Sequence, residues 1–219
     1  MTYRSENTAW EIGWGYRGTT AVTLYRNTSR RDHLTLYAQN DDHLTVRGNV
    51  IEQAGAGINL AGGDNQPRIL HNTVTGTTGG AAITVNPPDA DSPVTGLVMR
   101  GNTVTDNAAS GFTAGLFANL TGASIVGNTF SRNQRNGILL APGTRSNRFL
   151  HNVTEGNAQY GIRLFPGTQD NLLIGNRMLG NGVADALDET AVTTDGVTVL
   201  ANRWVHNRCT VDIPTGEIC

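Results

Sequence analysis

Asparagine recurs along this chain at nearly even intervals, and this repeat limits the fold more than any other feature. Each of these asparagines ends a short run of apolar and β-branched residues, as in "RFLHN" and "LLIGN". Successive members lie 22 to 30 residues apart, and they are Asn27, Asn49, Asn72, Asn102, Asn128, Asn152, Asn176 and Asn202. A repeat of this length predicts a solenoid in which each unit packs only on its neighbours.

Within each unit the apolar residues recur with a period of two, which is typical of β-strands. The position three residues before each anchor is apolar: Leu24, Val46, Ile69, Met99, Ile125, Phe149, Leu173 and Val199. A second strand follows the anchor, and a third is seen as "GINL", "GILL" and "GIRL". Three short strands per unit predict an all-β, single-stranded, right-handed parallel β-helix of about eight coils stacked about 4.8 Å apart.

The repeated asparagines have a structural interpretation. A side-chain amide both donates and accepts, so it can bond the backbone of a sharp bend and also its equivalent one coil away. We therefore predict a ladder of stacked asparagines and do not assign these residues to ligand binding. A second line lies five residues after the anchors and predicts another polar stack: Asn107, Asn133, Asn157, Asn181 and Asn207.

Composition excludes several classes of function. The net charge of −2 provides no overall field that would gather nucleic acid, and the 16 positive residues are scattered along the sequence. All of them are arginine, so lysine Schiff bases and P-loops are excluded. No apolar run is long enough to span a membrane. We expect a monomer without nucleic-acid or membrane partners.

The two ends of the chain have their own signals. Cys209 and Cys219 lie ten residues apart in a turn-rich tail and are placed to close the chain end, which indicates an oxidising compartment. We expect a secreted or periplasmic protein whose signal peptide has been removed, although residence inside the cell stays open. Residues 1–19, with Trp10, Trp14 and Tyr16, are predicted to cap the first coil, and residues 20–219 form the β-helix domain.

The pattern "xIxGNxVxxNxxxGIxL" resembles the parallel β-helix repeat of the pectate-lyase-like superfamily, which includes mannuronan C5-epimerases and NosD-like proteins. The resemblance covers roughly residues 20 to 213. It implies a substrate, usually an acidic polysaccharide, lying over the sheet formed by the "GIxL" strands. Alternation on these strands predicts one outward row: Tyr37, Asn59, Thr84, Thr113, Leu139, Arg163 and Asp212. Of these we expect Asn59, Thr84, Thr113 and Arg163 to bind substrate, with Arg163 as a bidentate fork for a carboxylate.

Candidate catalytic groups are densest in "RRDHLTLYAQNDDHL". Chemistry at C5 of a uronate needs a cation, a base and an acid. We expect Tyr37 or His43 to be the base and Asp41 or Asp42 to be the acid or an ion ligand. The resembling epimerases carry D-P-H-D at a comparable place, where this chain has "NDDH". The alternative is that Asp41 and Asp42 form a turn pair that bonds local amides.

The sequence thus favours a carbohydrate-active β-helix protein that acts on a polysaccharide or oligosaccharide, with lyase or epimerase chemistry ahead of hydrolysis. Two alternatives stay open: a non-catalytic carbohydrate-binding or structural β-helix, and a tailoring enzyme for a small molecule. No metal site and no cofactor are predicted, and a Ca²⁺ ion, if one is bound, would be an isolated ion in the groove.

Overall fold

The computed structural model describes residues 4–6, 12–87, 89, 91–115 and 119–219. The chain winds into a parallel β-solenoid of eight coils, each coil adding one strand to each of three long parallel sheets. The fold predicted from the asparagine repeat is confirmed. Among the described residues there is no helix, and so none long and apolar enough to cross a membrane.

The three sheets are numbered in the order in which a coil visits them. Sheet I contains β3 (Thr23–Tyr25), β6 (Thr45–Arg47), β9 (Arg68–Leu70), β12 (Val98–Arg100), β15 (Ser124–Val126), β18 (Arg148–Leu150), β21 (Leu172–Ile174) and β26 (Arg203–Val205). Sheet II contains β1 (Arg4–Glu6), β4 (Thr28–Arg30), β7 (Val50–Glu52), β10 (Thr73–Thr75), β13 (Thr103–Thr105), β16 (Thr129–Ser131), β19 (Val153–Glu155) and β22 (Arg177–Leu179). Sheet III contains β2 (Ile12–Arg17), β5 (Leu34–Gln39), β8 (Ala56–Leu60), β11 (Ile83–Val85), β14 (Phe112–Ala114), β17 (Ile138–Leu140), β20 (Tyr160–Leu164), β23 (Ala184–Asp188) and β27 (Asp212–Ile213).

The core follows from strand alternation. In the three-residue strands of sheets I and II from β3 onward the middle side chain points inward, and the position three before the anchor is buried as predicted from Leu24 to Leu173. Phe112, Phe130 and Phe149 are the largest fully buried side chains and fill the middle of the rod. Because neighbouring coils are in register, equivalent apolar residues stack along the axis, as Met99 does on Ile69 and Ile125.

Stacked asparagines connect the coils at three bends. The main ladder runs between sheets I and II, and each amide nitrogen donates to the amide oxygen of the next coil at 2.8 to 3.1 Å: Asn27, Asn49, Asn72, Asn102, Asn128, Asn152, Asn176 and Asn207. A second ladder joins Asn107, Asn133, Asn157 and Asn181. A third, which the sequence did not reveal, joins Asn147, Asn171 and Asn202.

The last coil differs from the sequence-based prediction. Asn207, not Asn202, ends the main ladder, and 31 residues separate it from Asn176. The extra length is an antiparallel hairpin, β24 (Val192–Thr194) and β25 (Val197–Val199), so Val199 is 63% exposed where an inward side chain was predicted. The register that follows from Asn207 places Trp204 beside Leu173.

The glycine that opens each "GIxL" strand is required by close approach between coils. A Cβ atom on Gly57 would clash with the carbonyl oxygen of Ala82 in the next coil, and one on Gly161 with the carbonyl oxygen of Asp185. Glycine alone leaves room for the neighbouring backbone at this point. The glycine of the "GIxL" motif is therefore explained by the tight stacking of coils in sheet III.

Both ends of the described rod carry additional chain. Strands β1 and β2 pair with β4 and β5, and Trp14 is buried beside the core. Trp10 lies outside the described residues, and the capping role of residues 1–19 stays a prediction. At the other end Cys209 and Cys219 form a disulfide with Cα atoms 5.8 Å apart.

Candidate functional site

The outer face of sheet III carries one row of side chains that runs along the rod. Strand register aligns Tyr37, Asn59, Thr84, Thr113, Leu139, Arg163, Leu187 and Ile213. The predicted row is therefore brought together as far as Arg163. Its predicted last member, Asp212, pairs with Ala186, and it is buried and accepts hydrogen bonds from the amides of Gly216 and Ile218. In the seventh coil β23 continues the sheet, although its sequence "ADALD" lacks the "GIxL" motif.

A groove lies over this row in two adjacent stretches. The first has a volume of about 710 Å³ and is lined, among others, by His33, Tyr37, Asn59 and Thr84. The second has a volume of about 390 Å³ and is lined, among others, by Thr113, Arg135, Asn136 and Arg163. Both stretches contact residues 79–81, so they adjoin at that loop. We call the two stretches together the groove.

Two residues that line the groove each have a side-chain amide oxygen without a hydrogen-bond partner among the described residues. These oxygens are Oδ1 of Asn59 in the first stretch and Oδ1 of Asn136 in the second, and both atoms are buried. The asparagines of the ladders differ, because after the first member of a ladder each Oδ1 atom accepts a hydrogen bond from the asparagine of the preceding coil. A buried acceptor without a donor is costly unless a ligand or water satisfies it.

Tyr37 stands at one end of the groove with a cation beside it. Its hydroxyl donates to Oε1 of Gln39 at 3.2 Å, and the guanidinium carbon of Arg17 lies 5.3 Å from the ring centroid. Arg17 is an exposed residue of β2, the strand next to β5. The sequence did not identify Arg17, because its place beside Tyr37 depends on how residues 12–17 pair.

The bend after β5 separates the other catalytic candidates from the groove. Asp41 is buried, and its carboxylate accepts the amide and hydroxyl of Thr19 at 2.7 Å each and the amide of Gln39 at 3.2 Å. Asp42 contacts His43 Nδ1 at 2.8 Å. Hydrogen bonds from Asn65 and then from His43 hold the pKa of the Asp42 carboxyl below its ordinary value. None of the three lines the groove, and their catalytic role stays a prediction.

Asp64 lies one coil beyond Asp41 and was not identified from the sequence. Its Oδ1 accepts the amide of Asp41 at 3.0 Å, while Oδ2 is buried without a hydrogen-bond partner among the described atoms. Burial, and to a smaller extent the negative charge of Asp41, raises the pKa of Asp64 to about 6. Asp64 differs from an ordinary turn aspartate only in being buried, and the sequence contains no signal for that burial.

Arg163 already has a carboxylate partner. Its Nε and Nη2 both donate to Oε1 of Glu189, at 3.1 and 2.6 Å. Its guanidinium also lies 4.3 Å from the ring centroid of Phe165 and 5.1 Å from that of Tyr160. Arg135, in the same stretch of the groove, is exposed and forms no ion pair with any described residue. The sequence predicted Arg163, and not Arg135, as the arginine that binds a carboxylate, because alternation along the strand was the only guide to which side chains point outward.

Comparisons with known proteins agree with this architecture. A profile of the family described as "Periplasmic copper-binding protein (NosD)" matches residues 4–210. The A-module of the Azotobacter vinelandii mannuronan C-5 epimerase AlgE4 is 21% identical, with a TM-score of 0.66 over 86% of this chain and 52% of that one. A mutant of the periplasmic alginate epimerase AlgG is 15% identical, with a TM-score of 0.57 over 84% of this chain and 51% of that one. This chain thus spans about half the length of these structures. No curated protein matches it in sequence.

Proposed function

The chain belongs to the NosD family of periplasmic copper-binding proteins, and we propose that this member binds an acidic polysaccharide along the groove of sheet III and performs epimerase or lyase chemistry at Tyr37. The observation that carries the proposal is the row of outward side chains on sheet III, Tyr37, Asn59, Thr84, Thr113 and Arg163, which lie along one groove. Tyrosine and threonine hydroxyls, asparagine amides and arginine guanidinium groups can form hydrogen bonds with the hydroxyls and carboxylates of an acidic sugar. The solved epimerases named above share the fold.

The length of the groove suits a chain of several sugars. Tyr37 and Arg163 occupy the same row five coils apart, which corresponds to about 24 Å at the usual strand spacing. Thr84 and Thr113 lie between them and offer hydroxyls that both donate and accept. We assign Asn59, Thr84 and Thr113 to successive sugars and Arg163 to a distal subsite, where a uronate would replace Glu189.

The charge in the groove favours an acidic ligand. Arg17 and Arg135 are exposed and have no ion pair with a described residue. No aspartate or glutamate is among the described residues that line either stretch. Hydrolysis of a glycosidic bond by the usual mechanism needs two carboxyl groups that flank it. The lining therefore supports epimerase or lyase chemistry ahead of hydrolysis.

In the proposed reaction Tyr37 acts on the proton at C5 of a uronate. Arg17 binds the uronate carboxylate, which makes the C5 proton more acidic because negative charge develops towards that carboxylate. Tyr37 removes the proton, and His33, which lines the same stretch of the groove, returns one to the sugar or to the leaving oxygen. Asp41 holds the bend, and the Asp42–His43 pair lies outside the reacting atoms.

The test is a set of uronate polymers given to the protein in deuterated buffer. Deuterium at C5, followed by NMR, reports epimerisation, and ultraviolet absorbance of unsaturated ends reports elimination. Tyr37→Phe should abolish turnover while binding changes less than about threefold, and Asn59→Ala should weaken binding about tenfold. His43→Ala distinguishes this proposal from the alternative prediction that His43 is the base, because turnover should be unchanged if Tyr37 is the base and lost if His43 is. Turnover that survives in Tyr37→Phe, or is lost in His43→Ala, contradicts the assignment.

A non-catalytic binding protein is the second candidate function. The observation in its favour is the ion pair of Arg163 with Glu189 together with the burial of Asp41, because both charges are already satisfied within the chain. Polysaccharide that binds without any deuterium incorporation or unsaturated product would select this candidate.

The copper in the family description does not fit the described residues. Copper sites use cysteine, methionine and histidine ligands. Among the described residues the one group of three close candidate ligands is Cys209, Asp212 and Cys219, and its two sulfur atoms are joined in a disulfide. Met99 and Met178 are fully buried in the core. We therefore derive no step through copper.

We also propose a location outside the cytoplasm. The family is described as periplasmic, and the disulfide between Cys209 and Cys219 is of the kind that persists in oxidising compartments.

A further inference from the structure

Sheet I carries an unpaired arginine surface on the side of the rod that the groove does not use. Five of its strands place an exposed arginine on the outer face: Arg47, Arg68, Arg100, Arg148 and Arg203. None of the eight strands of sheet I contains an aspartate or glutamate. Arginines that are scattered along the sequence are thus gathered by the winding of the chain. We call these five residues the arginine face.

Three exposed arginines on or beside sheet II differ in having carboxylate partners. Arg30 pairs with Glu52 at 2.6 Å, Arg177 with Glu155 at 2.7 Å and Arg132 with Asp106 at 2.8 Å. No member of the arginine face forms an ion pair within the described part of the chain. The net charge of the whole chain is −2, so this positive surface is local. A local field of one sign gathers ligands of the opposite sign.

The spacing of these side chains follows the long axis of the rod. Arg47 and Arg100 flank Leu70 in one row, two coils apart, which is about 10 Å. Arg68, Arg148 and Arg203 lie in the other row at separations of three and two coils, about 14 and 10 Å. The surface therefore matches a long ligand that carries repeated anionic groups.

The chemistry of the face favours an acidic polysaccharide over a nucleic acid. Guanidinium groups bind carboxylates with two parallel hydrogen bonds. Recognition of single-stranded nucleic acid relies on a series of aromatic rings that stack on bases. The strands of sheet I point a single aromatic ring outward, that of Tyr25, while Phe149 and Trp204 occupy inward positions. Tyr25 has the guanidinium groups of Arg26 and Arg47 at 4.9 and 5.9 Å from its ring centroid.

We propose that the arginine face is a second binding site, which holds a polyuronate chain along sheet I independently of the groove. Long polymers would then be held on the rod by charge, while short oligosaccharides that fill only the groove would not need the face. The site does not depend on turnover at Tyr37, so it stands or falls separately from the proposed function.

The experiment compares two variants of equal charge. In one, Arg47→Ser, Arg68→Ser and Arg100→Ser are combined, and in the matched control Arg30→Ser, Arg132→Ser and Arg177→Ser are combined. Binding of fluorescent long-chain polymannuronate is measured by anisotropy at low and physiological salt, and thermal melts check that both variants fold. The first variant should lose about tenfold or more in affinity and most of the salt dependence, whereas the control should change less than about twofold.

Three results would overturn the proposal. The first is an equal loss in the two variants, and the second is binding of the native protein that does not respond to salt. The third is single-stranded DNA that binds more tightly than polymannuronate through the same arginines, which would make the partner a nucleic acid. Turnover of short uronate oligosaccharides is measured in parallel. Its absence in the native protein would remove the proposed function and leave the result on sheet I intact.

Discussion

At the scale of single residues, one asparagine side chain can join three coils. The amide nitrogen of Asn152 donates to Oδ1 of Asn176 at 3.1 Å and to the carbonyl oxygen of Ile125 at 2.8 Å. Its own Oδ1 accepts the backbone and side-chain amides of Asn128, both at 3.0 Å. A shorter side chain cannot reach these partners, and an acid of similar size cannot donate. This explains why asparagine occupies the whole ladder.

Removal of one ladder member should therefore destabilise the rod strongly. Asn152→Ala removes four buried hydrogen bonds and leaves the backbone amide of Asn128 without its partner, and an unsatisfied buried group alone costs about 1 to 3 kcal/mol. We expect the free energy of unfolding to fall by about 3 kcal/mol or more in urea titrations. Arg145→Ala, at an exposed bend, is the control and should change it by less than about 0.5 kcal/mol. Equal effects of the two substitutions would refute the ladder's structural role.

The raised pKa of Asp64 leads us to predict that the free energy of unfolding depends on pH. The folded-state pKa of about 6 lies above the ordinary value of 3.8, so the folded protein binds this proton more tightly than the unfolded chain does. The stabilisation is complete below about pH 4 and is lost as the pH rises through about 6, with a loss of up to about 3 kcal/mol. Asp64→Asn should remove this slope and exceed the native protein in stability at pH 8. Urea midpoints at pH 4, 5, 6 and 8 measure it, and parallel pH profiles of the two proteins would contradict it.

At the scale of elements, the sequence predicts strands well where they belong to the repeat and poorly where they do not. The hairpin of β24 and β25 alternates valine and threonine as the solenoid strands do, and "TVLAN" imitates the run before an anchor. Nothing local distinguishes an antiparallel pair that leaves the rod from a strand that stays in it, because both alternate with period two. The pairing of Trp204 with Leu173 decides the register and is visible only in three dimensions.

The side-chain positions of the candidate site were also predicted well within the strands and poorly at the bends. Alternation correctly places Tyr37, Asn59, Thr84, Thr113 and Arg163 in one row, because it holds within each strand and the coils stack in register. It fails at bends, where the direction of a side chain depends on backbone angles that the sequence does not specify. Asp41 is buried and Asp42 is not, although both follow the same strand.

At the scale of the whole molecule, the two ends of the stack are the places where strands can lack partners. An uncovered strand edge exposes backbone groups to which another chain can add. Strands β1 and β2 cover the edges of β4 and β5, and Trp14 packs beside Leu36. Strands β1 and β2 thus add one strand to each of two sheets, and we predict that the N-terminal segment caps the stack.

Deletion of residues 1–16 should cause self-association, because it exposes the edges of β4 and β5 together with the apolar residues under Trp14. Size-exclusion chromatography with light scattering measures the outcome. The control replaces hairpin residues 192–199 with a short turn, which removes exposed chain without uncovering a sheet. A soluble monomeric product of the first deletion, with unchanged melting temperature, would remove the capping role.

Because the coils stack one after another along the chain, the order in which they can fold follows the order of the sequence. Each ladder asparagine bonds a partner 22 to 31 residues away, and never one in a distant coil. A chain that emerges from its N-terminal end can therefore complete each coil as soon as the next short length of sequence appears, and every finished coil offers a template for the one that follows. Among the strands described for residues 12–213, no strand of the first coils pairs with a strand of the last coils. The first coils can therefore form before the last residues have been made.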